Sequence, residues 1–191
     1  MNRTWIGVAL LAAGLAAGCG QGRAIFNVDV YSWLGGSPKD TVHYIVPGTT
    51  SNFAVPTPSI KIDLPPGLGS SFIDTVKVTG MADFHNDSGG PGTLAFQVYL
   101  ASDSLGTFNS ATRDSIFTPA VSVSLAAGPN SQLGIPLNAN NLSPRGDSLF
   151  TKSAIWIRLA ATVSNSGGTF MGGRAVLTGL ILRVVVEDKL F

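Results

Sequence analysis

The stretch IWIRLAATV, residues 155–163, carries an apolar residue at every second position. Its odd-numbered residues, from Ile155 to Val163, are all apolar, whereas Trp156 and Arg158 fall in the opposite register. Successive side chains of a β-strand point to opposite faces, so this alternation is typical of a strand with one buried face. The stretch therefore predicts a β-strand whose odd-numbered residues face a core.

The same alternation recurs along the chain, and turn-forming residues such as Pro65-Pro66-Gly67 and Asn165–Gly168 separate the repeats. Short alternating strands with frequent turns are typical of an antiparallel sandwich or barrel. We expect an all-β fold, an antiparallel β-sandwich of jelly-roll or Ig-like type with about eight or nine strands in a single domain. Further predicted strands lie at Phe26–Val30, Val42–Val46, Ile60–Leu64, Val76–Val78, Leu94–Leu100, Val121–Leu125 and Ala175–Glu187.

The first residues differ from the rest of the chain. Arg3 is the only charge before Cys19, and the apolar run Trp5–Ala13 is followed by small residues up to Gly18. A charged start, a short apolar centre and a small-residue end are typical of a secretory signal peptide. We expect residues 1–18 to be this signal, residues 19–23 a short tether and residues 24–191 the sandwich domain.

The end of the predicted signal, Leu15-Ala16-Ala17-Gly18-Cys19, resembles the lipobox of bacterial lipoproteins. Ala16 stands where leucine is commonest, and Cys19 is the only cysteine of the chain. The resemblance implies cleavage between Gly18 and Cys19 and acylation of Cys19, with palmitate among the acyl chains. More than one acyl chain gives stable membrane anchoring. Gly20, which is not Asp, favours the outer membrane by this resemblance, with the domain facing the periplasm or the cell surface.

Composition excludes one class of partner. The chain has 12 basic and 11 acidic residues, and Arg3 is the only one of them before Cys19, so the remainder is neutral. A neutral chain without a basic cluster lacks the electrostatic basis for nucleic-acid binding, and we expect none. Charged residues make up only 12% of the chain, against about 25% in typical globular domains.

Residues typical of catalytic sites are sparse. His43 and His85 are the only histidines, and His43 falls in the outward register of a predicted strand. The sequence contains no Gly-x-Ser-x-Gly motif, P-loop or dinucleotide fingerprint. We therefore expect no catalytic residues and no enzyme activity. An envelope hydrolase is an alternative, and it requires one histidine to meet an acid and a serine in a cleft.

Asp83, Asn86 and Asp87 are candidate metal ligands. Carboxylate and amide oxygens in one loop suit Ca²⁺, whereas Asn, Asp and Gly are also ordinary turn formers in hairpin connections. We favour the hairpin connection and expect no cofactor, with Ca²⁺ at this loop as the alternative.

Tyr99 and Trp156 lie in the outward registers of their strands. Exposed aromatic rings can stack on a ligand such as a sugar, but rings on an outer face can also fill a second small core. Ile181 and Val185 make the last predicted strand apolar on both faces, which indicates a central strand or a docking surface.

Together these features predict a membrane-anchored exported lipoprotein with a non-catalytic β-sandwich that has a binding or structural role in the cell envelope. Its expected partners are the lipid bilayer, through acylated Cys19, and an envelope protein or glycan. A glycan-binding or adhesion module is the alternative, and it predicts two or more aromatic rings on one exposed face.

Overall fold

The structure, a computed structural model, describes residues 22–34, 39–48, 53–64, 72–140 and 142–188. The predicted signal peptide and Cys19 lie outside these residues. Sheet 1 contains β1 (Gly22–Asp29), β2 (Thr41–Val46), β5 (Phe72–Gly89), β9 (Asn130–Ala139) and β11 (Met171–Asp188). Sheet 2 contains β3 (Phe53–Pro56), β4 (Ile60–Asp63), β6 (Gly92–Ala101), β7 (Asp114–Ser115), β8 (Val121–Leu125) and β10 (Ala154–Asn165).

Two short helices and a 3₁₀ turn lie between strands of this described part. Helix α1 is Tyr31–Leu34, helix α2 is Pro144–Leu149, and the 3₁₀ turn is Leu105–Thr107. Among the described residues, none of the helices has the length and apolarity needed to cross a membrane. The sheets therefore account for most of the fold, as the alternation predicts.

The strands fill eight positions, because three positions are each shared by two consecutive strands. β1 and β2 lie end to end along β11, β3 and β4 along β10, and β7 and β8 along β6. Counted along the chain, sheet 1 has the order 1-8-3-6 and sheet 2 the order 2-7-4-5. Two such four-position sheets form a jelly roll, which decides between the two sandwich types expected from the sequence.

Four connections pass from one sheet to the other at the same end of the sandwich, which we call the arch end. They join β2 to β3, β5 to β6, β8 to β9 and β10 to β11. At the opposite end, Gly22 of β1 is paired with Asp188 of β11. The chain therefore enters and leaves the described domain at the end that lacks these arches.

Two buried asparagines join the arches to one another. Asn165 Nδ2 donates to the carbonyls of Val46, Pro47 and Thr169 at 3.3, 3.2 and 2.6 Å. Asn86 Nδ2 donates to the carbonyls of Gly90 and Ala126 at 3.1 and 2.7 Å. Each amide thus hydrogen-bonds backbone carbonyls of more than one arch.

The core lies between the sheets and follows the predicted registers. The alternating positions from Ile155 to Val163 are buried, and so are Val42, Tyr44 and Val46. Phe84 of sheet 1 meets Phe96 of sheet 2 edge to face, with ring centroids 5.8 Å apart. The prediction that the last strand is central is confirmed, because β11 pairs with β1 and β2 on one side and β5 on the other.

Several elements differ from the sequence predictions, which do not include β3, β7 or the two helices. β1 begins at Gly22, two residues before the predicted domain boundary. β9 was not predicted, because Gly134 with its positive φ of 66° and Pro136 interrupt the alternation. The loop or hairpin connection expected at Asp83, Asn86 and Asp87 is wrong, because these residues belong to β5, which continues to Gly89.

Candidate functional site

A cavity lies where β9 of sheet 1 faces β7 and β8 of sheet 2. We call it the edge cleft, and its volume is about 530 Å³. Arg113–Pro119 and Val121 form one wall, and Asn138–Asn140 and Ser143 form the other. A concave site with several convergent polar groups is the usual form of a small-ligand site.

One wall of the edge cleft is fixed by the side chain of Gln97. Its Nε2 donates to the Phe117 carbonyl, and its Oε1 accepts the Phe117 backbone N–H at 3.0 Å. Gln97 is only 8% exposed, so these bonds are shielded from water and hold the segment in one position. The Gln97 side chain thus makes the two hydrogen bonds that a neighbouring strand would otherwise make with the backbone between β7 and β8.

The opposite wall is set by the start of helix α2. Ser143 caps the helix, because its Oγ accepts the Gly146 N–H at 3.1 Å. The same hydroxyl donates to Asp114 Oδ1 at 2.8 Å. A Cβ on Gly146 would lie 2.1 Å from Asp114 Oδ2, so only glycine admits the carboxylate here. Ser143 followed by Pro144 is a sequence signal for a helix start that the strand-based prediction missed.

Asp114 and Asp147 form a coupled carboxylate pair beside this wall. Asp114 Oδ2 and Asp147 Oδ1 are buried atoms without a hydrogen-bond partner among the described residues. Burial, and then the charge of Asp114, raise the pKa of Asp147. Of the two acids only Asp114 lines the edge cleft, and its Oδ1 already accepts the Ser143 hydroxyl.

Tyr99 and Trp156, the predicted stacking residues, share the outer face of sheet 2. Tyr99 is paired with Arg158, and Trp156 with Ala101, so the two rings occupy diagonal positions. Both side chains are half-buried. The structure thus brings the two rings to one face.

Two guanidinium groups already contact the Tyr99 ring. Arg113 Cζ lies 4.0 Å and Arg158 Cζ 4.8 Å from its centroid, and Arg158 also lies 4.4 Å from that of Phe108. Arg158 is 4% exposed, and it donates to the Thr107 carbonyl at 3.1 and 2.8 Å. Burial, and then Arg113, lower its pKa. This stack links the outer face to the edge cleft through Arg113, which sequence reasoning did not single out.

The candidate calcium ligands are used for other contacts. Asp83 Oδ1 accepts the Gly134 N–H at 2.6 Å, and Asp87 pairs with Arg174 at 2.9 Å. Asn86 faces inward, where it joins two arches. Within the described residues no three His, Cys, Asp or Glu side chains are grouped to hold a metal ion.

Both histidines lie on the outer face of sheet 1. His43 and His85 are each paired with Arg174, one from either side. Neither residue lines the edge cleft. In the described part of the chain neither imidazole has a hydrogen bond to a carboxylate or a serine. The arrangement that the hydrolase hypothesis requires is not formed by these side chains.

Comparisons with known proteins add little to this picture. No protein-family model and no curated protein matches the chain. Among solved structures, one of the infectious bursal disease virus Gx strain has a TM-score of 0.41 and 13% identity, covering 89% of this chain and 33% of that chain. This chain therefore spans about a third of the viral chain.

Two other solved structures are similar to a lower degree. Dimeric latent PorU from Porphyromonas gingivalis has a TM-score of 0.35 and 10% identity, covering 89% of this chain and 13% of that chain. TmCBM61 in complex with β-1,4-galactotriose has a TM-score of 0.28 and 10% identity, covering 86% and 88%. The jelly-roll assignment rests on the strand order of this chain and not on these similarities.

Proposed function

We propose that the protein is an exported lipoprotein, anchored through acylated Cys19, whose jelly-roll domain binds a carbohydrate in the edge cleft without catalysis. The observation that carries the binding proposal is the cleft itself, in which a cation, a carboxylate and two amides meet around apolar residues. Sugars present alternating hydroxyls and C–H faces, which such a mixed lining matches. The lipobox-like sequence at Leu15–Cys19 supports the anchor.

The polar groups of the edge cleft divide into donors and acceptors. Arg113 is a donor only, Asp114 is an acceptor only, and Asn138 and Asn140 can do both. Pro119 and Val121 belong to the same lining and give it apolar surface. A hydroxyl both donates and accepts, so sugar hydroxyls can pair with groups of either kind.

Binding is tested with polysaccharides and oligosaccharides of the bacterial envelope on a glycan array, followed by calorimetry on each positive. We expect Asn138→Ala with Asn140→Ala to weaken binding at least about tenfold, because each lost hydrogen bond is worth about 1 kcal/mol. Asn27→Ala is the matched control, since it removes an exposed amide from the far edge of sheet 1. Equal binding by all three proteins would place the sugar outside the edge cleft.

A partner protein is the alternative ligand that the sequence leaves open. Affinity capture from detergent-solubilised envelope tests it with the same variants. Recovery of one specific protein by the unaltered chain, together with no binding on the glycan array, contradicts the carbohydrate proposal.

The anchor has an independent test. Mass spectrometry of the mature N-terminus should show acylated Cys19, and Cys19→Ala should release the protein from the membrane fraction. A free thiol at Cys19 in the exported protein would contradict this part of the proposal.

A further inference from the structure

The outer face of sheet 1 carries an unfavourable pairing beside Asn27 of β1. Lys77 of β5 and Arg183 of β11 are direct cross-strand partners, and both are exposed. Like charges directly opposite each other destabilise a sheet. Among the residues whose side chains are described, neither cation forms a salt bridge, since the four bridges found involve other residues.

A shallow cavity of about 270 Å³ lies over this pair. Arg23, Lys77 and Arg183 line it together with one acid, Asp74, and its apolar part comes from Ile25 and Val185. An anion between Lys77 and Arg183 would remove their repulsion.

The acids of this part of the face are engaged elsewhere. Asp74 pairs with Arg23, and Glu187 lies 3.2 Å from Arg23 Nε. Asp29 accepts the Ser32 N–H at 3.3 Å. Arg23 is thus the partner of both carboxylates, and Lys77 and Arg183 are exposed to solvent without a salt bridge to either.

Exposed apolar side chains surround the two cations. Ile25 is 53%, Ile181 45% and Met81 42% exposed, and all three belong to the outer face of sheet 1. Cations among exposed apolar residues are typical of surfaces that lie in the headgroup region of a membrane. We define Ile25, Lys77, Met81, Ile181 and Arg183 as the sheet 1 patch.

The short chain between Cys19 and β1 indicates which partner covers the sheet 1 patch. Cys19 precedes Arg23 by four residues, a reach of about 14 Å, and Arg23 lines the same cavity. We infer that the sheet 1 patch lies on the membrane and that Lys77 and Arg183 bind the phosphate of anionic phospholipids. This inference rests on the proposed Cys19 anchor for its geometry.

Two cations alone give only a weak affinity for a membrane. Each contributes about a fivefold gain in affinity, so the pair contributes about 30-fold. An anchor confines the domain close to the bilayer, where a gain of this size is enough to fix its orientation.

The orientation is tested with acylated protein in vesicles of phosphatidylcholine with or without phosphatidylglycerol. Because Cys19 is the only cysteine and its thiol is acylated, Thr79→Cys provides a unique labelling site between Lys77 and Met81. We expect a fluorophore there to be shielded from an aqueous quencher only when phosphatidylglycerol is present. A label at Ser122→Cys, on the outer face of sheet 2, should stay accessible in both vesicles.

The charge pair is tested by Lys77→Gln with Arg183→Gln, which should expose the Thr79 label to the same extent in both vesicles. Lys61→Gln with Lys152→Gln removes the same charge elsewhere. It should leave the Thr79 label shielded in vesicles that contain phosphatidylglycerol. Equal quenching of the label in both vesicles by the unaltered protein overturns the inference.

A second measurement separates this inference from the anchor. The Cys19→Ala chain is sedimented with vesicles of pure phosphatidylglycerol, where Lys77→Gln with Arg183→Gln should lower its affinity about 30-fold. An unchanged affinity overturns the inference, whether or not Cys19 is acylated. Competition of this binding by low concentrations of inorganic phosphate would show a site for free phosphate and overturn the lipid assignment.

Discussion

Tyr44 packs directly over Gly173 on the inner face of sheet 1. A Cβ on Gly173 would lie 2.6 Å from the Tyr44 hydroxyl and 2.0 Å from the carbonyl oxygen of His85. The Tyr44 hydroxyl passes over this glycine and donates to that same carbonyl at 2.6 Å. Burial, and then the charge of Asp87, raise the pKa of Tyr44, so the phenol remains a donor at neutral pH.

We expect Gly173→Ala to lower the free energy of unfolding by about 1–3 kcal/mol, because the new methyl group meets backbone that cannot move aside. Gly179→Ala is the control in the same strand, where the nearest atom to a new Cβ is 4.0 Å away. Urea denaturation of the two variants measures the difference. Equal losses in both would mean that the contact with Tyr44 is not tight.

Asn165→Ala should destabilise the arch end. The substitution leaves the carbonyls of Val46, Pro47 and Thr169 without this donor, and an unsatisfied buried group costs about 1–3 kcal/mol. Hydrogen exchange should quicken in the connections before β3 and before β11, while the β1–β11 pairing stays protected. Uniformly faster exchange across both sheets would indicate a global loss instead.

Asp147→Asn should stabilise the protein at neutral pH. The raised pKa of Asp147 means that the folded state binds its proton more tightly than the unfolded state does. The stability that protonated Asp147 contributes is therefore fully present below the ordinary carboxyl pKa. It is lost as the pH rises through the raised pKa that Asp147 has in the folded state. The melting temperature of the variant should exceed that of the unaltered protein at neutral pH, with a smaller difference in acid. Asp63→Asn, at an exposed site, is the control and should show no such trend.

Phe84→Ala should cost about 3–5 kcal/mol, because it opens a cavity between the sheets and removes the edge-to-face contact with Phe96. Phe170→Ala removes a ring that is 55% exposed and should change stability by about 0.5 kcal/mol or less. Thermal unfolding of both proteins checks the contrast. A small effect of Phe84→Ala would mean that the two sheets close over the missing ring.

Alternation predicts which face of a strand is buried, because that property is local to the strand. It correctly places Tyr44, Val98 and Ile157 inside. It does not predict what crosses the outer face. Arg158 falls in the outward register but is buried under Phe108 and the Thr107 carbonyl, which belong to the connection after β6.

The edge cleft escapes prediction for the same reason. Asp114 and Ser143 are 29 residues apart in sequence, yet their side chains share a hydrogen bond. Gln97 lies in the outward register of its strand. Its hydrogen-bond partner, the backbone of Phe117, is 20 residues away and is brought to it only by the path of the chain. Such contacts depend on the path of the connections, which strand periodicity does not encode. The anchor residue Cys19 remains a prediction from its local motif.

The antiparallel pairing of β1 with β11 has a mechanical consequence. Gly22 to Asp29 pair continuously with Asp188 to Ile181, and Gly22 lies at the end where the chain enters the domain. A pull on the chain before Gly22, directed along the strand, stretches all these hydrogen bonds together and does not peel them one by one. The domain therefore resists tension applied through the chain before Gly22 in shear, the direction in which a β-ladder yields at the highest force.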